Sequence, residues 1–208
     1  YRLALSDGVT VLAGPNAAGK TNLIEALQLL TSGASFRHPT ATELVHDGVG
    51  SCKVELRLEG DGRVLDMGLS VADGKRSFSR NGKRCAASGV RGVLPSVLFC
   101  PDHLDMVKRG ASVRRTALDD FGVQLSARYA DLASAYGRCV TQRNALLKET
   151  WCCREMLGAW NESIARAGSA LLVHRLALLD RLSGHVRDAY GRVASGEPAG
   201  VSYVSTLG

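Results

Sequence analysis

Residues 14–21 read GPNAAGKT, a complete G-x-x-x-x-G-K-[ST] string, and they directly follow the apolar run Val9-Thr10-Val11-Leu12-Ala13. The chemistry that needs these types at this spacing is the wrapping of a polyphosphate by main chain, with successive N–H groups turned inward and the positive end of a helix behind them. Gly14 and Gly19 permit the close turns, Lys20 brings a point charge to the β- and γ-phosphates, and the Thr21 hydroxyl can ligate magnesium. Pro15, Asn16, Ala17, Ala18 and Asn22 complete the candidate nucleotide-binding set, and Thr21 is its candidate metal ligand. Such a loop must sit between a strand and a helix. Residues 9–13 read as a buried strand, and residues 22–30, NLIEALQLL, place Leu23, Ala26, Leu27 and Leu30 at helical spacing.

A second group that could do chemistry is the string KRSFSRNGKR at 75–84, which carries Lys75, Arg76, Arg80, Lys83 and Arg84 around Phe78. A β-ribbon of that charge could grip DNA phosphates. The alternative is a solvated hairpin whose cations discourage edge-to-edge aggregation. Arg114-Arg115 reads either as a helix-end charge cluster or as an interlobe ion pair. The histidines have no partner at metal or triad spacing. The six cysteines form no C-x-x-C pair, so they read as free thiols rather than as a metal site or a disulfide framework.

Hydrolysis at an ABC-type site needs, besides the phosphate loop, a strand ending in Asp-Glu and a serine-glycine signature loop from a second subunit. The strings LALLD at 176–180 and LSGH at 182–185 imitate these parts. They come in reverse order, within a segment whose leucines keep helical spacing, and Asp180 is followed by Arg181 instead of Glu. We read them as a core stripe and a helix-interior glycine, so no catalytic carboxylate is assigned within this chain.

The elements around these groups follow from periodicity. Residues 52–58 alternate strictly and 64–71 nearly so, with Asp61-Gly62 between them as a two-residue hairpin signal and Asn81-Gly82 as another. This predicts an antiparallel meander. Residues 93–99 predict a further short strand, and Asp102 an N-cap for a short helix through Lys108. From about Ala111 the period changes from two to roughly 3.6, which predicts amphipathic helices, although Gly158, Gly168 and Gly184 argue against unbroken ones. Residues 201–204 begin what reads as one more strand. The expected organisation is a mixed α/β lobe carrying the phosphate loop over 1–110 and a helical lobe over 111–208. Tyr1 opens in an already alternating stretch without an initiator methionine, which predicts a missing N-terminal piece.

A chain of 208 residues can build one substantial core, or a core with a satellite lobe. No apolar run approaches the ~18–20 residues that cross a bilayer, and the N-terminus lacks a secretory pattern, so a cytoplasmic location is expected. The net charge is +6, and 20 of the 26 basic residues are arginine, a modest bias toward a polyanion.

Taken together, GPNAAGKTNLIEALQLL with the following SFR at 35–37, NGK at 81–83, VLFCPDHLDMVK at 97–108, the RR-x-x-LD of 114–119 and QRNALLK at 142–148 resemble the RecF family of bacterial recombination mediators over nearly the whole chain. The resemblance implies an α/β fold, a phosphate-loop ABC-type ATPase head in which a lobe with a mixed sheet and antiparallel meander is followed by a mostly helical lobe. It implies ATP and Mg2+ as cofactors, a weak DNA-dependent ATPase activity in the full-length protein, ATP-dependent homodimerisation, and action at gapped or junction DNA with RecR and RecO to help load recombinase. It also implies that the signature loop and Asp-Glu strand lie beyond residue 208, and that residues 99–102 lie about where the link between lobes approaches the nucleotide. One departure stands out. Ala17 occupies a position where the family's loop usually has a second-half glycine, which is tolerable if that backbone has an ordinary negative φ and otherwise bears on the local geometry of the loop.

Overall fold

The computed structural model describes the chain except for Ser6, Asp61, residues 150–153, Ser195 and residues 205–208, together with the side chain of Asp102. It divides into two compact units, Tyr1–Leu98 and Phe99–Gly208.

In the first unit, α1 (Lys20–Ser32) packs against a four-stranded antiparallel sheet in the order β1-β2-β3-β4, formed by Ser51–Gly60, Arg63–Ala72, Lys75–Arg80 and Lys83–Cys85. The meander expected from the alternation is present. Gly60 pairs with Arg63 and Arg80 with Lys83, so both hairpins close through two residues, although Asp61 itself lies outside the described residues. Leu29 and Leu30 of α1 bury against Met67, Leu69 and Val71 of β2, Phe78 of β3 and Val90, with the apolar positions of β1 packed around them. The far end of α1 is closed by a dense set of main-chain contacts. Gly33 takes a left-handed φ of 74° and donates to the Leu29 carbonyl at 3.1 Å, and a Cβ there would approach the Ala87 oxygen to 3.1 Å. Arg91 Nε donates to the Ser32 carbonyl at 3.1 Å and the Gly92 amide to that of Thr31 at 3.2 Å, which brings a cation to the negative end of the helix.

Three expected strands are absent. Residues 1–5, 9–13 and 93–99 have no regular structure, and Val9, Val11 and Val97 are 89%, 79% and 79% exposed. A strand exists only through a ladder partner. Among the described residues none lies beside these segments, so their apolar sequence is not enough. Residues 201–204 are likewise irregular.

The second unit is helical: α2 (Asp105–Lys108), α3 (Ala111–Leu125), α4 (Ala127–Leu146) and α5 (Arg154–Val193). The N-cap of α2 is Leu104, not the expected Asp102, because a 3-10 turn over Pro101–Leu104 leads into it. Helix α4 starts at Ser126, whose hydroxyl accepts from the Tyr129 amide at 3.3 Å. The 40-residue α5 runs unbroken through Gly158, Gly168 and Gly184, contrary to expectation. Packing explains one of them: a Cβ on Gly168 would come within 3.1 Å of the Tyr136 ring. Both strings resembling an Asp-Glu strand and a signature loop lie inside α5, where the Ser183 hydroxyl donates to the Asp180 carbonyl at 2.7 Å.

Tyr129, Leu171 and Leu178 form the core of this unit with Leu118, Phe121, Leu132 and Tyr136 around them. At its edge a polar pin ties three helices. Asp119 on α3 accepts from Tyr129 on α4 at 2.7 Å and from Arg175 on α5 at 2.9 and 2.6 Å. Burial and the neighbouring carboxylate push the Tyr129 hydroxyl far above its usual range. Gly122 lies against the same ring, where an added Cβ would come within 2.6 Å. Gly122→Ala is therefore expected to cost about 1–2 kcal/mol in thermal unfolding, overpacking at Tyr129 outweighing alanine's helix propensity.

Candidate nucleotide-binding site

The loop over residues 14–18 is exposed and leads into α1 through the half-buried Gly19, whose left-handed φ of 86° starts the helix. No side chain caps this terminus and no acidic residue stands in the first turn, so the first amides keep their hydrogen-bonding capacity and nothing local repels an anion. Lys20 Nζ donates to the carbonyls of Gly14 at 2.7 Å and Pro15 at 2.6 Å, which folds the loop back over its own helix. The Ala18 amide closes onto the Pro15 carbonyl at 3.4 Å. The Thr21 residue is exposed one position further along.

Ala17 does not keep a negative φ. It sits at 64°, in the left-handed region, where a Cβ costs on the order of 1 kcal/mol. A turn that aims successive amides toward one centre alternates right- and left-handed residues, and this loop imposes that geometry on alanine as it would on glycine.

Sequence reasoning missed the contacts behind the loop. Glu25 is 6% exposed; one of its carboxylate oxygens accepts a short hydrogen bond from the Ser35 hydroxyl, and the other lies 3.2 Å from Arg37 Nη1. The same Arg37 nitrogen donates to Asn22 Oδ1 at 3.2 Å, the Phe36 amide donates to Gln28 Oε1 at 2.9 Å, and the guanidinium lies 5.5 Å from the Phe36 ring centre. The SFR string is thus fastened along one face of α1 through Asn22, Glu25 and Gln28. A signal was available: three polar residues at i, i+3 and i+6 of an otherwise apolar helix require partners.

The five cations of the basic string do not form one surface. Arg76 is half-buried and donates a short hydrogen bond to the Pro39 carbonyl, while Lys75 stands opposite Ala72 at the same end of β3. Arg80, Lys83 and Arg84 gather at the other end, around the Asn81-Gly82 turn. Arg114 Nη1 donates to the carbonyls of Met106 at 3.1 Å and Arg109 at 3.0 Å, closing the end of α2, which corresponds to the helix-end reading. In the 99–102 segment, Phe99 is exposed and the Cys100 amide donates to His103 Nδ1 at 3.1 Å. Cys152 and Cys153 lie outside the described residues. No helix among the described residues is long and apolar enough to cross a membrane.

A family model described as "AAA domain, putative AbiEii toxin, Type IV TA system" matches residues 9–76, the stretch holding the loop, α1, the first two strands and the start of the third. The DNA replication and repair protein RecF of Paenarthrobacter aurescens is 36% identical over 214 residues, covering 99% of this chain and 54% of the relative. That of Syntrophotalea carbinolica is 34% identical over 195 residues, covering 93% and 53%. Among solved structures, the recombination mediator protein RecF bound to ATP superposes with a TM-score of 0.84 at 27% identity, covering 98% of this chain and 58% of that one. A second RecF structure, RecF-ATPrS, reaches 0.86 at 27% identity and covers 94% and 54%. The chain spans about half the length of the curated relatives it matches. With the loop before α1, the antiparallel sheet and the helical unit all inside the match, this chain is similar to RecF proteins along nearly its whole length and fits the N-terminal portion of that family.

Proposed function

We propose that residues 14–22 bind ATP with magnesium, and that the chain serves recombinational DNA repair as part of a RecF-family protein. The observation that carries the reading is the uncapped, acid-free start of α1 with Lys20 folded over the loop that precedes it. These residues fit a triphosphate: free amides and a helix terminus face the anion, and Lys20 exchanges two carbonyl contacts for charge-assisted ones to phosphate. Thr21 would hold magnesium, whose charge offsets that of the β- and γ-phosphates. Asn22, fastened to Arg37 and through it to Glu25, keeps the first turn of α1 in place while that exchange occurs. The similarity to RecF proteins supports gapped or junction DNA as the substrate, RecR and RecO as partners and an ATP-dependent homodimer of the full-length protein. This stretch is proposed to bind nucleotide with little turnover, since no Asp-Glu strand or signature loop is assigned within it.

Titration with a fluorescent ATP analogue tests the site. Lys20→Ala is expected to weaken binding roughly 10- to 100-fold, the worth of a charge-assisted contact, with the thermal melt unchanged. Chelating magnesium is expected to weaken the parent protein more than Thr21→Ala. Equal affinity of the parent and Lys20→Ala proteins would sink the reading.

A further inference from the structure

The β3–β4 turn is a rigid corner. Asn81 and Gly82 both have positive φ, 49° and 74°, the backbone of a tight two-residue hairpin. Asn81 is latched to the neighbouring strand from both sides: its amide donates to the Asp66 carbonyl at 2.7 Å and its Oδ1 accepts from the Asp66 amide at 3.0 Å. The corner carries three exposed cations. Arg80 stands directly opposite Lys83, and Arg84 opposite Ser79 on the other face. Like charges placed opposite each other across antiparallel strands are destabilising. Two hydrogen bonds to Asp66 hold them there nonetheless. On β1, by contrast, Lys53 pairs with Glu55 at 2.8 Å and Arg57 with Glu59 at 3.0 Å. Among the described residues Arg80, Lys83 and Arg84 make no ion pair, and Asp66 lies opposite Arg57 instead.

We propose that this corner, Arg80, Lys83 and Arg84, is a docking point for the phosphate backbone of DNA, with Lys75 and Arg76 outside it. The inference rests on the reading that the chain acts on DNA, and assigns that contact a place. A repulsive cation pair on a fixed turn is relieved by an external polyanion, and charge complementarity selects one with closely spaced negative groups. The corner offers only cations, which bind phosphate oxygens without carrying sequence information. Binding through this corner is therefore indifferent to base sequence.

Fluorescence anisotropy with a labelled duplex of about 30 base pairs, followed over a range of salt concentrations, tests the proposal on the whole chain. Arg80→Gln/Lys83→Gln/Arg84→Gln is expected to bind more weakly, with the slope of log K against log salt reduced by about 3, one per cation, equally for duplexes of unrelated sequence. Lys75→Gln should leave the slope unchanged, which separates the corner from net charge. Arg80→Glu supplies a readout that misfolding cannot mimic: the melt should hold or rise as an ion pair to Lys83 replaces the repulsion, while DNA affinity falls. A parent protein without salt-dependent DNA binding would remove the DNA reading and this inference together. Salt-dependent binding by the parent with an unchanged slope in the triple variant would overturn the inference alone. Loss of polyglutamate binding with DNA binding retained would reassign the corner to an acidic protein, and so overturn it too.

Discussion

Asp119→Ala is expected to destabilise the helical unit by about 3 kcal/mol, seen as a lower melting temperature and a loss of hydrogen-exchange protection through α3, α4 and α5. The carboxylate is the common acceptor for Arg175 and Tyr129, and the two charged side chains are only 12% and 22% exposed, for Arg175 and Asp119 respectively. Deleting it leaves a guanidinium in a half-desolvated place with no counter-charge, and that penalty exceeds the value of the intact pair. The distinction is testable. Asp119→Ala/Arg175→Met should recover much of the loss, because the uncompensated charge goes with its partner. Additive losses in the double variant would show that each side chain matters for its own packing instead.

Leu29→Ala is expected to cost a similar amount, about 3 kcal/mol, in the first unit. Leu29 is 2% exposed and sits with Leu30 between α1 and the apolar face of β2. Truncation there removes buried methyl groups and leaves a cavity that the sheet cannot close, since Met67, Leu69 and Val71 are held by ladders on both sides. Protection should fall in α1 and the meander and remain in the helical unit. Because Leu29 is more than two turns from Lys20, ATP affinity measured well below the melt should change less than twofold. A large loss of affinity would mean that the first turn depends on the seating of the whole helix.

How much was legible in the sequence followed the range of the interactions. The phosphate loop, α1 and the four strands depend on local patterns, and they appear where spacing and turn residues put them. Residues 9–13 and 93–99 have equally good strand composition, but a strand is defined by its neighbour, and composition carries no information about one. Gly168 looked like a helix breaker because propensity counts only the local backbone. Its missing Cβ makes room for Tyr136, a residue 32 positions away in sequence. At Ala17 the opposite holds: the loop's geometry overrides the preference of the residue in it. The partners of Glu25 and Asp119 are set by the tertiary structure, which brings Ser35 and Arg37 to the first and Tyr129 and Arg175 to the second.

Helix α5 has a mechanical consequence. At 1.5 Å per residue its 40 residues extend about 60 Å, twice the ~30 Å of the 20-residue α4 against which it packs. Contacts that anchor it run from Asn161, which accepts from Arg143, to Leu182 at the edge of the core, and the 11 residues that follow to Val193 continue about 16 Å further. The helix is therefore a lever with its fulcrum in the Tyr129–Leu171–Leu178 core. A tilt of roughly 5° about that fulcrum carries Val193, about 22–33 Å away along the axis, through about 2–3 Å, so a small adjustment at the Asp119 pin is enlarged at the far end of the helix.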